Sequence, residues 1–271
     1  MPKLSPRGRR YNWRPDLPDH RDHTFLAKHE LVAAGLPSKV DLRPLCPPVV
    51  DQGDLGSCTA NALAGALGFL ELKDFRDKVT DSAAEFNAAL GSYVPFSRLF
   101  IYWQERLIEG DTDQDGGAQL RDGIKALSTV GACSEVLWPY DTARAFTAPA
   151  PECALEAGQH KISRYVNIDN TRANLLRACL AEGYPFVFGF TVYDGFEGEE
   201  CAATGMLHLP TRDEGCQGGH AVMCVGYDDA RRVFIVRNSW GSAWGDGGYF
   251  YMPYAYMTDA NLADDFWTLR R

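Results

Sequence analysis

Val236-Arg237-Asn238-Ser239-Trp240-Gly241-Ser242-Ala243-Trp244-Gly245-Asp246-Gly247-Gly248-Tyr249 carries more information than any other stretch of this chain. It leaves a short β-branched run, turns through glycines and two tryptophans, and enters a second strand at Tyr249. A glycine-rich hairpin with two packed indoles accounts for the glycines but not for Asn238. The side-chain carbonyl of that asparagine can accept a hydrogen bond from an imidazole N–H, and Trp240 stands where an indole would keep water off the bond.

A histidine that fits this role lies a few residues upstream. Gly218-Gly219-His220-Ala221-Val222-Met223-Cys224-Val225-Gly226-Tyr227 reads as an apolar strand opened by His220 behind a flexible Gly-Gly. A lone histidine beside such a strand is as readily a satisfied edge residue as a functional one. The third element lies near the other end of the chain, at Gln52-Gly53-Asp54-Leu55-Gly56-Ser57-Cys58. The helical spacing of Leu63, Leu67 and Leu70, interleaved with Ala60, Ala64 and Gly68, predicts a helix over Thr59–Phe75, so Cys58 sits at a helix N-terminus. Unpaired backbone N–H groups and the macrodipole there favour the nucleophilic thiolate, and the Gln52 amide can donate into the same space. A buried structural cysteine fits this segment equally well.

The remaining pattern frames these three places. The chain has 271 residues, 45% hydrophobic and 23% charged, with a net charge of −9. That suits a folded protein and excludes a phosphate-tracking nucleic-acid binder. No stretch has the length and apolarity of a membrane span, and the basic Met1–Arg10 is followed by no apolar core of a signal peptide. Localisation stays open between cytoplasm and an unreadable export route. Residues 1–36 lack periodicity and read as an extended arm. Ser97–Ile108 and Gln119–Leu127 repeat the helical spacing, whereas Phe186–Val192, Ala221–Tyr227, Val233–Arg237 and Tyr249–Met252 read as strands. A helical half followed by a strand half predicts two lobes with a cleft between them.

Taken together, these residues resemble the papain-like cysteine peptidases. Gln52 and Gly56-Ser57-Cys58 match the family's oxyanion glutamine and nucleophile, His220-Ala221-Val222 its His-Ala-Val, and Asn238 to Tyr249 its Asn-Ser-Trp-Gly-x-x-Trp-Gly-x-x-Gly-Tyr block. Val40-Asp41-Leu42-Arg43 is similar to the start of its mature domain, Gly116-Gly117 to its cleft glycines, and Trp138-Pro139-Tyr140 to its Tyr-Pro-Tyr. The chain looks most like compact bacterial members of the xylellain type. The resemblance covers roughly residues 37–271. It implies an α+β, two-lobed fold with a helical left lobe (about 37–150) and an antiparallel, β-barrel-like right lobe (about 151–271). It implies peptide-bond hydrolysis, of the endopeptidase kind, in which Cys58 attacks, His220 shuttles the proton, Asn238 orients the imidazole and Gln52 stabilises the oxyanion. Gly116, Gly117, Gly219, Ala221, Met206 and Trp240 would contact substrate, with a roomy apolar pocket near Gly117, Ala221, Gly189 and Met206. No metal and no cofactor is implied, the partner is a peptide or protein, and the expected state is a monomer. A Cys–His acyltransferase or deamidase, or a silent binding protein, are the alternatives.

The departures from the family pattern carry expectations too. Thr59 stands where the family has Trp or Tyr, and Leu55 where it has a half-cystine. Of eight cysteines, Cys201 and Cys216 bracket one loop and form the candidate pair. The arm is too short for the family's globular prosegment, so Tyr11–Phe25 is expected to lie extended over the cleft as a built-in inhibitor. Asp111-x-Asp113-x-Asp115-Gly116, with Asp122 in the twelfth place, has the oxygen spacing of a calcium loop and is left open as a minor alternative.

Overall fold

The computed structural model describes residues 8–28, 35–78 and 83–271; Lys3 and Arg7 of the basic start lie outside them. The longest helix, α1 (Cys58–Lys78), carries the predicted leucine stripe, with Leu63 and Leu67 fully buried. Its small residues let neighbours approach closely. A methyl group at Gly68 would meet the Tyr93 hydroxyl at 2.2 Å, and one at Gly65 would press on Arg237 at 3.3 Å. Beside α1 stand α2 (Ala83–Gly91), α3 (Arg98–Glu109), which the Ser97 side chain caps, and α4 (Leu120–Thr129). They are followed by α5 (Pro151–Ala157) and α6 (Ala173–Ala181).

The strands are β1 (Lys39–Asp41), β2 (Arg164–Asn167), β3 (Phe186–Tyr193), β4 (Cys216–Asp228), β5 (Val233–Arg237), β6 (Tyr249–Pro253) and β7 (Ala263–Arg270). The short helices α7 (Asp194–Glu197) and α8 (Glu199–Thr204) follow β3, and α9 (Tyr254–Met257) follows β6. The antiparallel sheet runs β2-β7-β3-β4-β5-β6, with β1 added to β4. It does not close into the expected barrel. The β2 edge is instead met by the N-terminal arm, where Phe25 N–H donates to Asn167 O at 2.7 Å, and the β6 edge by Met206 pairing with Tyr251. With both edges occupied by chain segments, the sheet has no edges left to join.

Three sequence expectations shift. β4 begins at Cys216, so His220 lies inside a strand, opposite Phe190, rather than at its start. β1, β2, β7, α2, α5 and α6 were not anticipated; β1 and β2 are only three and four residues long and carry little pattern. Cys201 and Cys216 both stay thiols, one buried and one exposed. The thiols that do face each other are Cys133 and Cys153.

Candidate active site

The site forms where the N-terminus of α1 meets β4 and the turn after β5. β4 and β5 are paired through Met223 and Arg237, which sets the residue after β5, Asn238, beside His220. His220 Nε2 lies 2.9 Å from Asn238 Oδ1, and the same oxygen accepts from Ser239 N–H at 2.8 Å. The ring nitrogen Nε2 is therefore the protonated one, which leaves Nδ1 as the basic nitrogen. That Nδ1 is buried and has no hydrogen-bond partner among the described residues. Trp240 stacks on the imidazole at 5.3 Å and 30°, and Phe190 and Phe196 complete an apolar cage.

Cys58 is wholly buried. Burial pushes its thiol up to about 12, against the pull of the backbone N–H groups of Ala221, Thr59 and Asn12. Burial likewise takes His220 down to about 4, while the Asn238 bond works the other way. The helix N-terminus is in place as the sequence predicts, yet desolvation outweighs it and the resting pair is neutral.

Gln52 has no exposed surface. Its Oε1 accepts from Ser239 Oγ at 2.6 Å and its Nε2 donates to Leu55 O at 3.0 Å, which sets the amide the right way round. Around it runs a network that the sequence did not reveal. Tyr140 OH donates to Gln52 O at 2.9 Å and meets Ser57 Oγ at 2.6 Å. Arg98 stacks on Tyr140 at 3.8 Å and donates to Asp51 O at 2.9 Å. Asp115 accepts from Gly56 N–H at 3.0 Å and from Tyr102 OH at 2.6 Å. The Trp-Pro-Tyr motif pointed at Tyr140; nothing in the sequence pointed at Arg98.

Asp115 is thus committed to the loop before Cys58, Asp111 to Arg14, and Asp122 to Lys125. No cluster of three metal-ligating side chains forms among the described residues. Asp115 and Asp111 instead bond to the loop before Cys58 and to the arm.

The groove over Cys58 is filled by the arm. Trp13 N–H donates to Gly219 O at 3.0 Å and Arg14 N–H to Ala118 O at 3.1 Å, parallel bridges on both walls. Gly117, at φ +76, has room for no side chain, because a Cβ there would fall 1.8 Å from Asn12 O. Gly116 precedes it, Ala221 is buried beside the sulfur, and Tyr11 packs on both His220 and Trp240. Arg9 donates to Asp51 at 2.6 Å, Arg10 to Asp115 at 2.7 Å, and Arg14 pairs with Glu109. Gly116, Gly117, Gly219, Ala221 and Trp240 are therefore gathered at the groove. Met206 is not: it extends the far sheet edge beside Tyr251, and its sulfur accepts from Arg231.

Residues 105–267 match the papain family cysteine protease profile. An uncharacterized peptidase C1-like protein of Acanthamoeba polyphaga mimivirus is 41% identical over 86% of this chain and 72% of its own. Xylellain, a cysteine protease from Xylella fastidiosa, superposes with a TM-score of 0.82 at 42% identity, over 96% of this chain and 95% of that one. Procathepsin L2 from the Tenebrio molitor larval midgut shares the fold, with a TM-score of 0.73 at 19% identity, over 99% of this chain and 81% of that one. The chain belongs to the papain family of cysteine proteases.

Proposed function

We propose that this protease cleaves peptide bonds through Cys58, His220, Asn238 and Gln52, and that its N-terminal arm holds it latent. The observation that carries the catalytic assignment is the imidazole. Nε2 is tied to Asn238, Nδ1 is left without a partner, and the nucleophile candidate stands at the start of α1 under the residue that follows His220. In the open cleft, His220 takes the Cys58 proton, the thiolate attacks the carbonyl, and the imidazolium then protonates the leaving amine. The Cys58 N–H and the Gln52 amide hold the oxyanion. Water resolves the thioester. The groove accepts a chain that continues beyond it in both directions, from Arg9 to Asp22, which suits endopeptidase action.

Latency rests on the arm as a competitor for the groove. Its backbone brings the N–H of Asn12 to Cys58 and bonds to both walls through Trp13 and Arg14, so it occupies the space a substrate backbone would take. The chain then divides into an arm, 1–36, and a peptidase domain, 37–271. A chain beginning at Pro37 is expected to hydrolyse peptides faster than the full chain. Its Cys58 should also alkylate more than about tenfold faster at neutral pH, because each pKa unit regained by the thiol is a factor of ten in thiolate. Equal rates for the two chains would show that the arm does not inhibit.

Docking is also expected to depend on pH. Asp16 of the arm accepts from Arg121 N–H at 3.1 Å and from Trp267 Nε1 at 2.9 Å, and its own N–H donates to Asp265 at 2.8 Å. Burial raises both carboxyls. For Asp16, Asp122 adds to the rise and Arg121 opposes it; for Asp265, Asp16 and Asp264 add to it and the Trp13 bond opposes it. Docked groups with raised pKa bind protons that the undocked ones release. The stabilisation is therefore complete below the ordinary carboxylate value of 3.8 and is lost as pH rises through a window that ends at about 6 for Asp16 and about 8 for Asp265. The ratio of Cys58 alkylation rates, chain from Pro37 over full chain, should fall across that window; a constant ratio would count against the pH effect.

A further inference from the structure

We propose that Arg98 is a positioning residue of the reaction: through Asn61, Ser57 and Tyr140 it fixes both oxyanion donors, the Cys58 N–H and the Gln52 amide. The inference rests on the peptidase reading above and adds to it a residue that acts through others.

Arg98 opens α3 and is 8% exposed, and its planar fork is divided between two tasks. Nε and Nη2 take the Glu135 carboxylate, at 3.4 and 2.6 Å. That pair balances the buried charge and sets the plane of the guanidinium. Nη1 is left to face the site, where it donates to Asp51 O at 2.9 Å and to Asn61 Oδ1 at 3.2 Å. The guanidinium lies over the Tyr140 ring at 3.8 Å.

From Nη1 a chain of hydrogen bonds runs in one direction. A guanidinium only donates, so Asn61 turns its oxygen to Arg98 and its amide nitrogen away. That nitrogen donates to Ser57 Oγ at 3.0 Å and to Ser57 O at 2.8 Å. Tyr140 gives its single proton to Gln52 O at 2.9 Å, so in the 2.6 Å contact between Ser57 and Tyr140 the serine hydroxyl is the donor. Reversing any one link would set two donors or two acceptors face to face.

Both ends of this chain bear on the oxyanion. Ser57 O and the Cys58 N–H belong to one planar trans peptide and point in opposite directions. Asn61 holds Ser57 O twice, through Nδ2 and through its backbone N–H at 3.0 Å, and so aims the Cys58 N–H. At the other end the Gln52 carbonyl is tied to Tyr140 and its N–H to Ser239 O at 2.9 Å, with Asp51 O held by Arg98 just before it. Donors stabilise a developing oxyanion in proportion to how well they are aimed beforehand. Lysine would keep the charge, but one ammonium cannot grip Glu135 with one edge and offer a second nitrogen to Asp51 and Asn61.

The test uses the full chain with Trp13→Ala, which takes from the arm the indole seated in the groove, and a fluorogenic peptide substrate. Added to this parent, Arg98→Lys is expected to lower kcat about tenfold or more, the scale of hydrogen bonds from a charged group, and to leave KM unchanged. Alkylation of Cys58 by iodoacetamide forms no oxyanion, so its rate should stay at the parent's. Tyr140→Phe keeps the ring under the guanidinium and the buried ion pair, and tests the same chain of bonds. It should lower kcat about two- to tenfold, and by less when Gln52→Ala is also present, because one of the donors it aims is then gone. The parent's kcat in the Arg98→Lys chain, or a fall in alkylation equal to the fall in kcat, overturns the inference and leaves the peptidase reading standing. So does a Tyr140→Phe loss that is the same with and without Gln52. A parent that cleaves no peptide overturns both.

Discussion

Replacing Cys58 by alanine is expected to abolish peptide hydrolysis, with turnover falling by at least about 10⁴-fold, the scale on which a covalent nucleophile fails when removed. No other group at the site can take its place. His220 is a base with no second nucleophile beside it, Ser57 is bound to Tyr140 and Asn61, and Thr59 Oγ1 donates to Glu105 at 2.8 Å. The substitution removes one sulfur from a buried position and leaves the arm's contacts with Gly219, Ala118 and Asp51 in place, so the protein should still fold and the arm still dock. Rates measured on the full chain and on the chain from Pro37 separate the two effects. Wild-type turnover in the Cys58→Ala chain would sink the catalytic assignment.

Gln52→Ala is expected to lower turnover by about 10²–10³, the value of one donor aimed at a developing oxyanion. The loss should fall on kcat more than on KM, because the donor matters most when the carbonyl oxygen carries charge. Gln52 also bridges Ser239 and Leu55, so part of any effect can come from a loosened loop. Thermal melting separates the two: a loss of turnover without a comparable loss of stability marks the oxyanion role. Unchanged turnover would remove Gln52 from the mechanism.

The elements most legible in the sequence were those with local periodicity. The leucine stripe of α1 and the continuous apolar runs of β3 and β5 are imposed by residues within a few positions of each other. β7 carries no such local signal: the sheet order, not the run itself, makes it an inner strand between β2 and β3. Gly218-Gly219 reads as a break in the sequence, which puts His220 at a strand start. In the structure these glycines continue β4, and their missing side chains make room for Tyr11 and Trp13. The resemblance puts Met206 in the groove, whereas in the structure it pairs with Tyr251 at the β6 edge.

What the sequence determined by itself is the chemistry available. Cysteine, histidine, asparagine and glutamine stand in flanks specific enough to name a family, because those flanks encode the local backbone each residue needs. What the tertiary structure decided is the state of that chemistry and the walls of the groove around it. Burial beneath the arm turns a helix-N-terminal cysteine into a neutral thiol. The meeting of Trp13 with Asp265, 252 positions apart, gives an apolar pocket an acidic end. Desolvation and long-range apposition are properties of the packed chain, and no window of sequence contains them.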